Sequence, residues 1–155
     1  MERILLAGNY PNLTSLELFN FGEETVLRYF TDDSIFQHIF KSQITDLVLH
    51  NNDERTTQMS SESYVTNEYE FIEYSHLISL NIIRVHEDYV YEFLLETRTY
   101  LPHLTELKVM YDQLKFVTMN FTSDAARRNC SKVKRLFLEN SERLSKDICQ
   151  YFPSL

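Results

Sequence analysis

The sequence predicts an α/β fold of strand–helix units placed side by side, and three observations carry that prediction. The hexamer "LTSLEL" (Leu13–Leu18) recurs as "ITDLVL" (Ile44–Leu49), "LISLNI" (Leu77–Ile82), "LTELKV" (Leu104–Val109) and "VKRLFL" (Val133–Leu138), each reading apolar-x-x-apolar-x-apolar. The hexamers begin at residues 13, 44, 77, 104 and 133, so the intervals are 31, 33, 27 and 29 residues, too even for chance. Between hexamers the apolar residues change to helical spacing.

Each hexamer is expected to hold a short strand. Its first apolar residue anchors the turn into the strand, and the other two, two residues apart, point to one face as pleating requires. The residues between them point the other way. Helices are predicted over Glu23–Phe30 and Ser34–Phe40, the second opened by Asp32-Asp33-Ser34. The spacing of Tyr89, Val90, Phe93, Leu94 and Leu101 predicts a helix over 86–100, with acids near its positive N-terminal end. Leu114, Val117, Phe121 and Ala125 predict one over 112–130 that closes on Arg127 and Arg128, and Ile148 and Phe152 predict a short one over 145–152. Pro11, Pro102 and Pro153 each follow a predicted helix end, where proline stops a helix and extends the residue before it. A helix that returns the chain makes consecutive strands parallel neighbours. About five such units, with strands on the concave face and helices on the convex face, form a horseshoe arc in which each unit buries its neighbour's apolar face.

Composition narrows the function. The chain has 155 residues, 43% of them hydrophobic and 14% aromatic, ample for one domain spanning 1–155. Two glycines leave nothing from which to build Gly-rich phosphate loops, and no GxSxG, HExxH, GxxxxGK[ST] or GxGxxG occurs, so no enzyme activity and no cofactor are expected. The histidines His38, His50, His76, His86 and His103 fall at unrelated positions, so no metal site is expected either. Glu23-Glu24 and Asp32-Asp33 read as helix-start acids rather than catalytic pairs. A net charge of −8 repels phosphate backbones and anionic membranes, so neither nucleic acid nor a membrane is an expected partner. The short basic groups Arg127–Arg128 and Lys132–Lys134–Arg135 read as helix-end and strand-face charges. Cys130 and Cys149 form no CxxC pair, and the apolar run Ile4–Ala7 is too short for a secretion signal, which points to the cytoplasm, with the nucleus as alternative. Cys130 lies near Arg127 and Arg128, which could lower its thiol pKa, although a cysteine ending an apolar helix more often simply packs. The sequons at Asn12, Asn120 and Asn129 read as chance matches.

The hexamers resemble the L-x-x-L-x-L core of the leucine-rich repeat family over most of the chain. The lead-ins Tyr10-Pro11-Asn12-Leu13, Leu101-Pro102-His103-Leu104 and Phe152-Pro153-Ser154-Leu155 are similar to the "CPNL" lead-in of leucine-rich repeats in F-box proteins. That resemblance implies the substrate-binding repeat region of a ubiquitin-ligase adaptor, whose scaffold would be reached through an F-box that these residues lack. A repeat-only scaffold or inhibitor without a ligase link is the alternative. The Asn or Cys that usually follows the hexamer is patchy: Asn20, Asn51, Asn52 and Asn140 stand near three of the five. Both ends of the chain fall at nearly the same phase, so a piece of a longer array is expected, and its open edges predict self-association in isolation. The polar segment 50–70, "HNNDERTTQMSSESYVTNEYE", reads as a surface loop inserted in the second unit, or as an interaction or phosphorylation segment.

What remains is a surface for a protein ligand. The strand residues expected to face outward include Glu17 and Phe19; Asp46, Val48 and His50; Asn81 and Ile83; Lys108 and Met110; and Arg135 and Phe137. If Phe19, Val48, Ile83, Met110 and Phe137 align, they make an apolar stripe across five strands, the kind of exposed patch that marks an interaction site.

Overall fold

The computed structural model describes residues 12–19, 43–50, 71–141 and 145–155. The predicted helices over 23–30 and 34–40 and all of the polar segment 50–70 except His50, which ends a strand, lie outside the described residues. Strands β1 (Ser15–Phe19), β2 (Asp46–His50), β4 (Ser79–Arg84), β6 (Glu106–Met110) and β7 (Arg135–Glu139) form a five-stranded parallel sheet in chain order. Strands β3 (Ile72–Glu73) and β5 (Thr99–Tyr100) form a second, two-stranded parallel sheet. Helices α1 (Glu87–Leu94), α2 (Tyr111–Val117), α3 (Asp124–Cys130) and α4 (Lys146–Tyr151) complete the α/β architecture among the described residues.

The large sheet places the hexamers in one register. Leu16, Leu47, Leu80, Leu107 and Leu136 form a single rung, and Ser15, Asp46, Ser79, Glu106 and Arg135 form the rung before it. At the entry to each strand, the carbonyls of Thr14, Thr45, Ile78 and Thr105 each accept two N–H groups from the following strand's entry, at 2.8–3.1 Å. One face is apolar because every second side chain must point the same way. Leu47, Leu49, Leu80, Ile82, Leu107 and Val109 are fully buried there, in one cluster with Val90 and Leu94 of α1 and Leu114 and Val117 of α2. The helices therefore cover this face. Leu16 and Leu18 on β1, and Leu136 and Leu138 on β7, are only partly buried, since each has a strand neighbour on one side.

A second bond recurs before the hexamers. Leu77, Leu104, Val133 and Leu155 each donate a backbone N–H to the carbonyl three residues back, on Tyr74, Leu101, Cys130 and Phe152, at 3.2–3.4 Å. Those four acceptor residues are all buried. Two of these turns carry the proline of the lead-in motif; the others have Ser75 and Ser131 in its place. Neighbouring turns are also linked from the side: Lys132 Nζ donates to Pro102 O (2.8 Å), and Ser154 Oγ donates to Ser131 O (2.7 Å), from the same position of successive turns.

Two predicted helices are shorter than the sequence implies. The one expected over 86–100 starts as predicted, with Nδ1 of His86 accepting from Asp88 N and acids Glu87 and Asp88 in its first turn. It stops at Leu94, and Leu95 is already extended. The chain then enters β5, because a distant side chain claims its carbonyls. Asn129, fully buried on α3, donates from Nδ2 to Thr99 O (2.6 Å) and Leu94 O (3.1 Å), while its Oδ1 accepts Leu101 N (2.9 Å). The amide thus pairs with β5 as a third strand's backbone would. The Asn129 amide is thereby engaged inside the protein.

The helix expected over 112–130 is two helices. Between them Met119, Asn120 and Phe121 have φ of 50°, 58° and 63°, a left-handed turn built without glycine. Such a conformation costs about 1–2 kcal/mol per residue. Local bonds offset it. The buried Thr118 hydroxyl donates to Leu114 O (2.7 Å) and accepts Phe121 N (3.1 Å), and Asn120 N donates to Lys115 O (2.8 Å). The final helix is shorter by a residue at each end, with Ser145 as its cap.

Candidate functional site

The other face of the large sheet carries the outward-facing residues that the sequence nominated, except Ile83. Among its strand residues only Glu106 is buried; the rest are half-buried or exposed. The rung that follows the buried leucines reads Glu17, Val48, Asn81, Lys108, Phe137. Two residues later, Phe19 pairs with His50 and Met110 with Glu139.

The expected apolar stripe is therefore not continuous. Val48 and Phe137 share a rung but are separated by Asn81 and Lys108, while Phe19 and Met110 lie two residues further along their strands. Ile83 leaves the row altogether. The register between β2 and β4 shifts after Val48, so His50 faces Arg84. The cause is local: Asn81 Oδ1 accepts the N–H of Ile83 at 3.3 Å, removing that donor from the regular ladder.

What the face offers is two aromatic–charge clusters at opposite ends. At the β1–β2 end the rings of Phe19 and His50 stack at 4.7 Å with 11° between planes, and His50 Nε2 donates to Glu17 Oε1 at 2.8 Å. The Phe19 side of this cluster stays 52% exposed. At the β6–β7 end Glu106 lies between two cations. Its Oε2 is 2.7 Å from Arg135 and its Oε1 is 3.2 Å from Lys108, whose ammonium also sits 5.1 Å from the centre of the Phe137 ring. The Glu106 side chain is 12% exposed and that of Arg135 67%, so the carboxylate acts as an internal anchor and the guanidinium reaches solvent. Phe137 remains 49% exposed beside it.

Asp46 is held by the hydroxyl of Thr45 at 2.9 Å. Sequence reasoning missed Arg84, which simple alternation would turn inward, and missed the anchoring part played by Glu106. The latter had a signal: Glu106 and Lys108 alternate on one strand, and Arg135 occupies the place equivalent to Glu106 on the next.

Arg127 and Arg128 are engaged within the chain. Arg127 and Arg128 end α3, as expected for cations at a helix C-terminus. They lie over the rings of Tyr151 (5.3 Å) and Tyr100 (5.0 Å), and within 3.8 Å of Asp124 and Glu96 respectively. The idea that they activate Cys130 fails on burial: the thiol is fully buried, and desolvation pushes its pKa up. A brief treatment of the folded protein with an alkylating reagent is expected to modify Cys149 alone, and treatment in denaturant to modify both, as mass spectrometry would read directly. Equal labelling of both thiols in the native protein would contradict the packing of α3. Among the described residues no group of three or more His, Cys, Asp or Glu side chains is placed to hold a metal, and no helix is long and apolar enough to cross a membrane.

Compared with family models, curated proteins and solved structures, the chain matches none.

Proposed function

We propose that this chain is a non-catalytic protein-recognition module of leucine-rich-repeat type, with its ligand on the strand face. The observation that carries the reading is the common register of the five hexamers, which sets ten outward positions in two complete rows on one surface. Exposed Phe19 and Phe137 on that surface, each beside a charged side chain, are the residue types that anchor protein interfaces. In this reading the strands line the concave side of an arc of stacked repeats and the helices its convex side. The ligase connection rests on the aromatic-Pro-x-Leu lead-ins: the module would hold the substrate of an F-box-type adaptor in the cytoplasm. A scaffold or inhibitor built only of repeats would use the same face.

Proximity labelling in cells tests the reading. The wild-type chain and Phe137→Asp, each fused to a biotinylating enzyme, are expected to label different proteins, with a discrete set lost from the variant while its circular dichroism is unchanged. Loss of that set corresponds to an affinity drop of about tenfold or more. Identical labelling by two folded proteins would refute ligand binding at this face. Ubiquitin-ligase subunits co-purifying with the full gene product would support the adaptor form, and their absence the scaffold form.

A further inference from the structure

The outward residues of β7 define a charge order. Along one strand they read Arg135, Phe137, Glu139: cation, aromatic ring, anion, at alternate positions and therefore roughly 7 Å apart in sequence steps. Each is exposed. Arg135 is held in place by Glu106, which also binds Lys108, so two cations share one buried carboxylate and these three side chains together carry one positive charge. The Arg135 side chain bonds Glu106 yet stays 67% exposed, so part of its guanidinium, with five N–H donors, reaches solvent. The opposite end of the face differs in sign, with Glu17 and Asp46 on β1 and β2.

From this arrangement, and resting on the recognition reading above, we infer that the β6–β7 end of the face binds an extended protein segment in which an acidic, an apolar and a basic residue alternate. The acidic side chain accepts hydrogen bonds from Arg135, in the planar two-point geometry that guanidinium and carboxylate share. The apolar side chain covers the free surface of the Phe137 ring. The basic side chain meets Glu139. Lys108 strengthens the acidic end from beneath the ring. Glu106 is a positioning residue: it fixes the reach and direction of Arg135 and touches no ligand. A nucleic-acid strand suits the face poorly, since Glu17, Asp46 and Glu139 lie on it as well.

A phage-displayed library of random linear peptides, selected on the whole chain, tests the inference. Enriched peptides are expected to carry Asp or Glu, an apolar residue, and Lys or Arg at alternate positions. Synthetic copies should bind Arg135→Gln about tenfold more weakly. Arg135→Lys should recover part of that loss, and Lys146→Gln, an equal charge change on α4, should bind as the wild type does. Enriched peptides without this charge order, or with affinity that ignores Arg135→Gln while Phe137→Asp abolishes it, would overturn the charge reading and leave recognition at the face standing. Peptides indifferent to both variants would overturn both. A selection that enriches nothing overturns the linear segment. So does a sedimenting mass twice that of the monomer that Phe137→Asp restores to monomer, because the occupant is then a second copy.

Discussion

Replacing Asn129 by Leu is expected to destabilise the chain by about 3–5 kcal/mol, more than any surface change and comparable with the worst core truncations. The amide is fully buried and uses both ends, donating to the carbonyls of Leu94 and Thr99 and accepting the N–H of Leu101. Leucine has nearly the same volume, so packing is little disturbed. The loss comes from leaving three backbone groups without partners in a place water does not reach, at roughly 1–3 kcal/mol each before relaxation. Urea denaturation of the two proteins measures the difference. Asn129→Asp sharpens the test. An aspartate there keeps the acceptor for Leu101 but sets a carboxylate against two carbonyls, and burial with those neighbours raises its folded pKa above the unfolded value. The folded state then holds its proton more tightly, so stability is retained below the ordinary carboxylate pKa and lost as pH rises through it. A stability difference from wild type that stays constant between roughly pH 3 and pH 7 would show that the amide network does not hold β5 in place.

The second large effect distinguishes the middle of the sheet from its edge. Leu107 and Leu136 are paired neighbours in the same rung and the same place in their hexamers, yet Leu107 is fully buried and Leu136 only partly. Leu107→Ala is expected to cost about 4 kcal/mol and Leu136→Ala about 2 kcal/mol, since the removed atoms are alike and the cavity left behind is not. Guanidinium titration of both variants gives the comparison. Equal costs would mean that α3 and α4, rather than the adjacent strands, bury the leucines of β7.

The strands were legible because burial with period two on a one-sided sheet leaves a direct imprint: Leu80 and Ile82, or Leu107 and Val109, can be exchanged only for other apolar residues. The helix ends were not legible, because remote groups set them. Nothing between Glu87 and Leu101 announces a stop at Leu94; the reason sits 35 residues away in Asn129. The break after Val117 carried one faint signal, Asn120, the residue type best able to adopt left-handed backbone without glycine. The turns at Tyr74 and Cys130 escaped notice because serine stands where Leu101 and Phe152 are followed by proline, although all four make the same bond. On the candidate face, strict alternation breaks at Ile83, where the Asn81 side chain takes a backbone donor and the register slips.

The order of the large sheet bears on how the molecule meets mechanical load. Strands β1, β2, β4, β6 and β7 lie side by side as they follow in the chain, so Ser15 and Glu139 stand at opposite margins of the sheet. Tension applied between those margins pulls across the strands, along the line of the inter-strand hydrogen bonds. Such a load cannot be shared among the whole ladder as it would be if neighbouring strands were slid past one another. It opens the margin first, one strand at a time, so extension of this part of the chain should need low force and proceed in steps of about thirty residues, the interval between successive hexamers. A partner gripping several strands at once would splint the sheet, turning an elastic element into a stiff one.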